Sequence, residues 1–243
     1  MRIVLFCNWY KCSDAKHQEE IDLALEKNLG LDVDRVVTVV QDKDFEELHE
    51  RWDTHIEIVK HRHTFNDIFE LAVKEPRETI CCTANADVYW DKTIENISKL
   101  DLWGKFLCLT RHNNGVLNLQ PQGSQDSWVW LSQCTPRTFS ETLELGRYGV
   151  DGKLNFHLLS DGYALENPCN TVHVHHLHAE GKFDSPHRFP AYEYPLGFVA
   201  PPNRRGQNKA WIENVPGERG DRLPTVRTRQ VVGADGKLSI ESW

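Results

Sequence analysis

With 243 residues, 40% of them hydrophobic, the chain is long enough for one α/β domain with a sizeable core and too short for two ordinary domains plus a linker. A formal charge of −8 excludes a broad phosphate-tracking surface, because nonspecific nucleic-acid affinity comes from Lys and Arg displacing counterions. No stretch approaches the roughly 18 apolar residues of a membrane span, and the start turns polar at Asn8, too early for the apolar core of a signal peptide, so the expectation is a soluble, cytoplasmic protein.

Arg2 to Phe6 is a short apolar run that predicts a buried first strand. Ala15 to Lys27 has apolar residues at helical spacing, and Asn28-Leu29-Gly30 supplies a stop. Val36 to Val40 is β-branched throughout, as in a strand covered on both faces. Phe45 to Trp52 reads as helix and Ile56 to Val59 as strand, after which Thr64 is a candidate N-cap. Strands follow at Thr79 to Thr83, Lys105 to Thr110 and Ser127 to Leu131, then a helix from Val150 to Leu159 and a final strand region from Tyr163 to His178. This alternation predicts an α/β fold with a mostly parallel sheet flanked by helices and ligands at the carboxyl ends of strands. Residues 1–200 form the expected domain, and the Pro-, Gly- and Arg-containing stretch 201–243 is expected to be an irregular extension. The seven cysteines are odd in number and include no CxxC pair, which fits reduced core fillers better than disulfides.

Three groups of residues carry candidate chemistry. Asn85-Ala86-Asp87 follows a strand, and side chains at i and i+2 in extended backbone share a face, so both polar groups can point at one ligand or simply form a turn. One carboxylate and an amide suffice for a hard divalent cation that bridges phosphates. His173, His175, His176 and His178 form a dense cluster in which 173 pairs with 175 and 176 with 178 on a strand, and neutral imidazole is a common metal ligand. A structural zinc site is the rival, though the usual CxxC or HxxxH partner is missing. Asp126 and Asp151 are candidate general bases; Asp151 has N-cap of the following helix as its alternative, and Asp126 can equally brace a loop. Trp9, Trp90, Trp103, Trp128 and Trp130 suit stacking on sugars, but most belong in a core.

In order, Asn8-Trp9-Tyr10, Glu19-Glu20-Ile21 with Asn28, Arg62-His63-Thr64-Phe65 with Asp67, Ala84 to Asp91, Leu109-Thr110-Arg111, Ser124 to Trp128, Gly149-Val150-Asp151, Gly162-Tyr163, Asn167-Pro168 and His176-Leu177-His178 resemble the motifs of small GT-A-like glycosyltransferases of glycan-biosynthesis clusters and viral genomes. The resemblance covers roughly Ile3 to Arg188 and includes that family's "ANSDIYFD" block at Ala84 to Asp91. It implies a sugar-nucleotide pocket, with UDP the expected nucleotide, formed by Asn8, Tyr10, Arg62, Asn85 and Asp87, with Mg or Mn held by Asp87, His178 and His176. It also implies Asp151 as the acceptor-side base, with Asp126 as the second candidate, and transfer to a glycan hydroxyl. Val150 and Gly152 depart from the Cys and Asn of the family's "GCDN" motif, so the acceptor is the less constrained side. A viral origin would admit a hydroxylated DNA base, for which Arg204, Arg205, Arg219, Arg222, Arg227 and Arg229 are suited. A non-catalytic sugar-nucleotide or glycan-binding module and a histidine-metal hydrolase are the competing classes.

Overall fold

A computed structural model describes residues 1–118, 125–147, 149–177, 196–202, 208–213, 228–232 and 238–242. The chain runs β1 (Ile3–Trp9), α1 (Ala15–Leu29), β2 (Arg35–Gln41), α2 (Phe45–Arg51), β3 (His55–Val59), α3 (Phe65–Ala72), β4 (Ile80–Ala84) and β5 (Val88–Trp90). It continues with a 3₁₀ segment at Lys92–Lys99, β6 (Lys105–Thr110), β7 (His112–Asn113), β8 (Val116–Leu117), β9 (Gln125–Leu131), α4 (Val150–Ser160), β10 (Ala164–Glu166) and β11 (Val174–His176). Two hairpins follow, β12 (Leu196–Ala200) with β13 (Lys209–Glu213) and β14 (Thr228–Val232) with β15 (Leu238–Ser242).

The main sheet is mixed and mostly parallel, in the order β10-β6-β9-β4-β1-β2-β3, with β9 antiparallel to both neighbours. Every residue of β1 is buried, which explains the apolar run from Ile3 to Cys7; a strand covered by helices on both faces has no water-facing side. One core layer packs Leu5, Trp9, Ile21, Leu25 and Val129 under α1. The other packs Phe6, Phe69, Phe106, Trp130 and Leu158 under α3 and α4. Trp9, Trp90, Trp128 and Trp130 are core residues, whereas Trp103 is exposed. All seven cysteines are free thiols.

Three local features position the site. Thr64 caps α3 in a capping box: its hydroxyl accepts from the Asp67 amide, and its own amide donates to the Asp67 carboxylate at 2.7 Å. Asn28, near the end of α1, donates to the Val88 carbonyl at 3.1 Å and accepts from the Trp90 amide at 2.9 Å, so the helix fixes β5. The third feature is the approach of β12 to α4. A Cβ on Gly197 would lie 2.5 Å from the Asn155 carbonyl carbon, so only glycine allows this contact. Gln125 and Asn167 then bind the Val199 carbonyl, each at 3.1 Å.

The sequence expectation of one strand region from Tyr163 to His178 divides here into β10 and β11, which lie in different sheets. The chain turns at Pro168, whose carbonyl accepts from the Thr171 and Val172 amides, while the Asn167 side chain donates to Thr110 Oγ1 at 2.8 Å. The β12–β13 hairpin joins residues on either side of the expected boundary at 200, and three strands lie in the stretch expected to be irregular. No helix among the described residues is long and apolar enough to cross a membrane.

Candidate active site

The carboxyl ends of the central strands β1 and β4, the start of antiparallel β9 and the first turn of α4 lie at the same end of the sheet. There the sequence-predicted residues fall into a group around Asp87, a group around Asp151 and a link between them.

In the first group, Asp87 occupies the turn from β4 into β5, closed by the Val88 amide donating to the Asn85 carbonyl at 3.1 Å. Pairing of β5 with β11 sets His176 opposite Val88, and the Leu177 amide donates to the Asp87 carbonyl at 3.2 Å. His176 Nε2 therefore lies 3.1 Å from Asp87 Oδ2. Burial opposes charge on Asp87, but the His176 charge and hydrogen bond outweigh it and hold the carboxyl well below its usual range. Burial likewise opposes protonation of His176, and the Asp87 charge and hydrogen bond raise it instead. The Tyr10 hydroxyl lies 3.1 Å from His17 Nε2, and the Arg62 guanidinium carbon is 5.7 Å from the Tyr10 ring centre. Burial, then the charge of Asp87, pushes the Tyr10 phenol up to about 12. Arg62 also faces Glu144 at 3.5 Å. Asn8 is buried, and its Oδ1 has no hydrogen-bond partner among the described residues; it borders a cavity of about 10 Å³ shared with Asn28 and Asn85.

Asn85 forms the link. Its Nδ2 donates to Asp126 Oδ1 at 3.0 Å, its Oδ1 accepts from the Gly146 amide at 3.1 Å, and its own amide donates to the Asp126 carbonyl at 3.0 Å. Both polar atoms of the side chain are thus engaged within the protein. The buried Asp126 carboxylate also receives Arg111 Nη1 at 3.1 and 3.0 Å. Arg111 is a site residue to which sequence reasoning gave no role. It reaches Asp126 because β6 pairs with β9 across a register shift between Leu109 and Thr110, a relation that its own sequence neighbourhood does not contain.

In the second group, Asp151 is the second residue of α4. Gly149 holds the N-cap position with φ of 81° and no side-chain hydrogen bond, which corrects the expectation of Asp151 as the N-cap. Burial, then the negative charge of Asp126, pushes the Asp151 carboxyl up to about 7, against the opposing pull of the Gly152 amide and Arg111. The departure at Gly152 has a steric reason: a Cβ there would lie 3.1 Å from Leu196 Cδ2, so β12 occupies the space of a larger side chain.

Two other members of the histidine cluster, His173 and His175, turn away from Asp87. His175 Nε2 lies 2.9 Å, and His173 Nδ1 3.6 Å, from Asp91 Oδ2 on the other face of β11. His178 lies outside the described residues, as do Arg204, Arg205, Arg219, Arg222 and Arg227; for Arg229 only the backbone is described. Among the described residues no three His, Cys, Asp or Glu side chains form a group that could hold a metal ion. Asp87 and His176 do supply a hard carboxylate oxygen and an imidazole nitrogen side by side; they would fit Mg²⁺ or Mn²⁺ as a donor pair once the proton held between them is released, since only neutral imidazole is a ligand.

No family model and no curated protein matches the chain. Among solved structures it is similar to a mannosyltransferase from Pyrobaculum calidifontis in complex with GDP-Man and Mn²⁺, at 13% identity and a TM-score of 0.47 over 75% of this chain and 58% of that one. It is also similar to TarS residues 1–349 from S. aureus, at 13% identity and a TM-score of 0.34 over 51% of this chain and 39% of that one. A third similarity is to mannose-6-phosphate isomerase from Helicobacter pylori, at 14% identity and a TM-score of 0.37 over 51% of this chain and 54% of that one. The chain thus spans less than two thirds of the length of each of these three proteins.

Proposed function

We propose that the protein is a glycosyltransferase that moves a sugar from a nucleoside diphosphate sugar, with UDP the expected nucleotide, to a hydroxyl of a glycan acceptor. The observation that carries this reading is that two differently tuned carboxyl groups lie around the same buried Asp126, whose charge acts on both Asp151 and His176. Asp87 is kept ionised beside His176, and Asp151 is raised toward neutrality. Two acids pushed in opposite directions are what a displacement needs when charge leaves on one side and a proton leaves on the other.

Tyr10 and Arg62 border the donor side, where an aromatic face and a guanidinium suit a base and a phosphate. Asp87 and His176, with His178 as a further ligand, would hold a Mg²⁺ or Mn²⁺ ion, which would supply positive charge against the departing diphosphate. Asp151 takes the proton of the acceptor hydroxyl; the freed oxygen bonds to the anomeric carbon as the bond to the diphosphate breaks, which inverts the configuration. Asp126 serves as a positioning residue, since Arg111 and Asn85 already occupy its carboxylate. Asn85 would then act as a clamp between the two sides of the cleft.

The test is release of nucleoside diphosphate from UDP- and GDP-sugars by the purified protein with and without Mn²⁺. Metal-dependent release supports transfer chemistry. Donor binding without any release would favour a binding module, and hydrolysis of unrelated esters without use of any donor would favour a metal hydrolase.

A further inference from the structure

On the flank of the domain, the loop after β9, the C-terminal half of α4 and the start of β10 enclose an open groove of about 450 Å³, a volume typical of small-ligand sites. Its floor is aromatic and held in place. The Phe139 ring stacks on the His157 imidazole with centres 4.8 Å apart and planes 24° apart, and His157 is fixed by Glu141 at 2.9 Å. The Phe139 backbone is gripped at both ends by the Asn66 amide, each hydrogen bond 2.9 Å long. Tyr163 stands edge-on against Phe106, with ring centres 5.1 Å apart. The rim is polar: Arg137, Ser140 and Asp161 are exposed there. Arg137 and Asp161 form no ion pair among the described residues, so a guanidinium donor and a carboxylate acceptor are both available to a ligand.

We infer that this groove is a second carbohydrate-binding site, which holds units of a glycan chain remote from the hydroxyl that reacts. A pyranose offers an apolar C–H face to an aromatic floor and a ring of hydroxyls to the donors and acceptors around it. One Arg against one Asp leaves the rim without net charge, which disfavours a nucleotide or free phosphate and suits a neutral sugar. The placement fits a chain-like ligand as well. Asp151 lies in the first turn of α4 and Asp161 directly follows its last, so ten residues of helical rise set the groove about 15 Å from the cleft. That distance matches a short oligosaccharide running along the helix. The chain-length part of the inference rests on the glycosyltransferase reading; the carbohydrate site itself does not.

The experiment is titration of the intact protein with soluble linear oligosaccharides of glucose, mannose, galactose and N-acetylglucosamine, followed by backbone amide shifts. At least one should move the Phe139 and His157 amides with a Kd of roughly 0.1–10 mM, as expected for a shallow site. The Arg137→Gln/Asp161→Asn double variant should bind at least about tenfold more weakly. It should keep the wild-type thermal midpoint and the wild-type rate of nucleoside diphosphate release without oligosaccharide. Tyr163→Phe, which keeps the ring and removes the hydroxyl, should give a smaller loss. The inference is overturned if no oligosaccharide shifts groove amides, if the double variant binds as wild type does, or if UDP or inorganic phosphate is the probe that shifts them. Should donor turnover be absent while oligosaccharides still bind the groove, the catalytic reading falls and this site stands; turnover with a silent groove removes this site alone.

Discussion

Asp151→Asn has two effects of opposite sign, and together they separate a catalytic carboxylate from a structural one. Raising the carboxyl from its ordinary 3.8 to about 7 means that the folded protein holds it in an environment hostile to charge. At 1.36 kcal/mol per pH unit, the difference sets a ceiling of about 4 kcal/mol, and partial exposure of the residue reduces the expected figure to about 2 kcal/mol. The folded pKa of this acid lies above its unfolded value, so ionisation at high pH costs stability. The cost is absent below about pH 4, grows as pH rises, and is complete above about pH 7. Asparagine cannot ionise, so the variant should be more stable than wild type by about 2 kcal/mol at pH 8 and equal to it near pH 4. Turnover should fall roughly a hundredfold to ten-thousandfold while donor affinity is kept. Wild-type turnover should rise with pH through about 7 as the base becomes ionised. Urea unfolding at the two pH values and steady-state kinetics on the same preparation provide the assay. Equal stability at both pH values together with normal turnover would refute the account of Asp151.

Three further outcomes follow from the same contacts. Asp126→Asn removes the negative charge that helps raise Asp151, so the rise of turnover with pH should move to lower pH, as read in a pH–rate profile. It also leaves the guanidinium of Arg111 without its counter-charge, at a cost of about 3 kcal/mol in urea unfolding. If Asp126→Asn abolishes turnover while Asp151→Asn is normal, Asp126 is the base. Gly197→Ala forces a methyl group against the Asn155 backbone and should lower stability by about 1–3 kcal/mol in thermal unfolding; an unchanged midpoint would show that β12 does not lie against α4.

Strands and helices with strong periodicity were legible in the sequence because burial writes directly on it. The apolar run from Ile3 to Cys7 in β1 and the β-branched residues of β2 mark strands covered on both faces, and the Thr64 capping signal announces α3. The small sheet of β5, β7, β8 and β11 was not legible. Its strands have two or three residues each, too few for a period to show, and β11 pairs with β5 and β7 more than sixty residues earlier in the chain. The same limit applies to the site. Asp87 stood out because polar side chains directly follow a strand, and the alternation of β11 separates His176 from His173 and His175, as the strand period requires. The engagement of Asn85 with Asp126 and Gly146, and the grip of Arg111 on Asp126, join residues 15 to 61 positions apart in the chain. No local pattern records such contacts. Gly152 appeared as a departure from a motif, and only the packing of Leu196 supplies its reason.

The central claim, transfer chemistry at the Asp87–His176 pair, is tested most directly by donor-dependent release of nucleoside diphosphate measured with Mn²⁺, after exhaustive chelation, and with Asp87→Ala. The account predicts release with Mn²⁺, loss on chelation with recovery on adding the metal back, and a fall of at least roughly a hundredfold in the variant, as expected for removal of a major electrostatic stabiliser. Full activity after chelation, or an Asp87→Ala protein that turns over as wild type does, would contradict it.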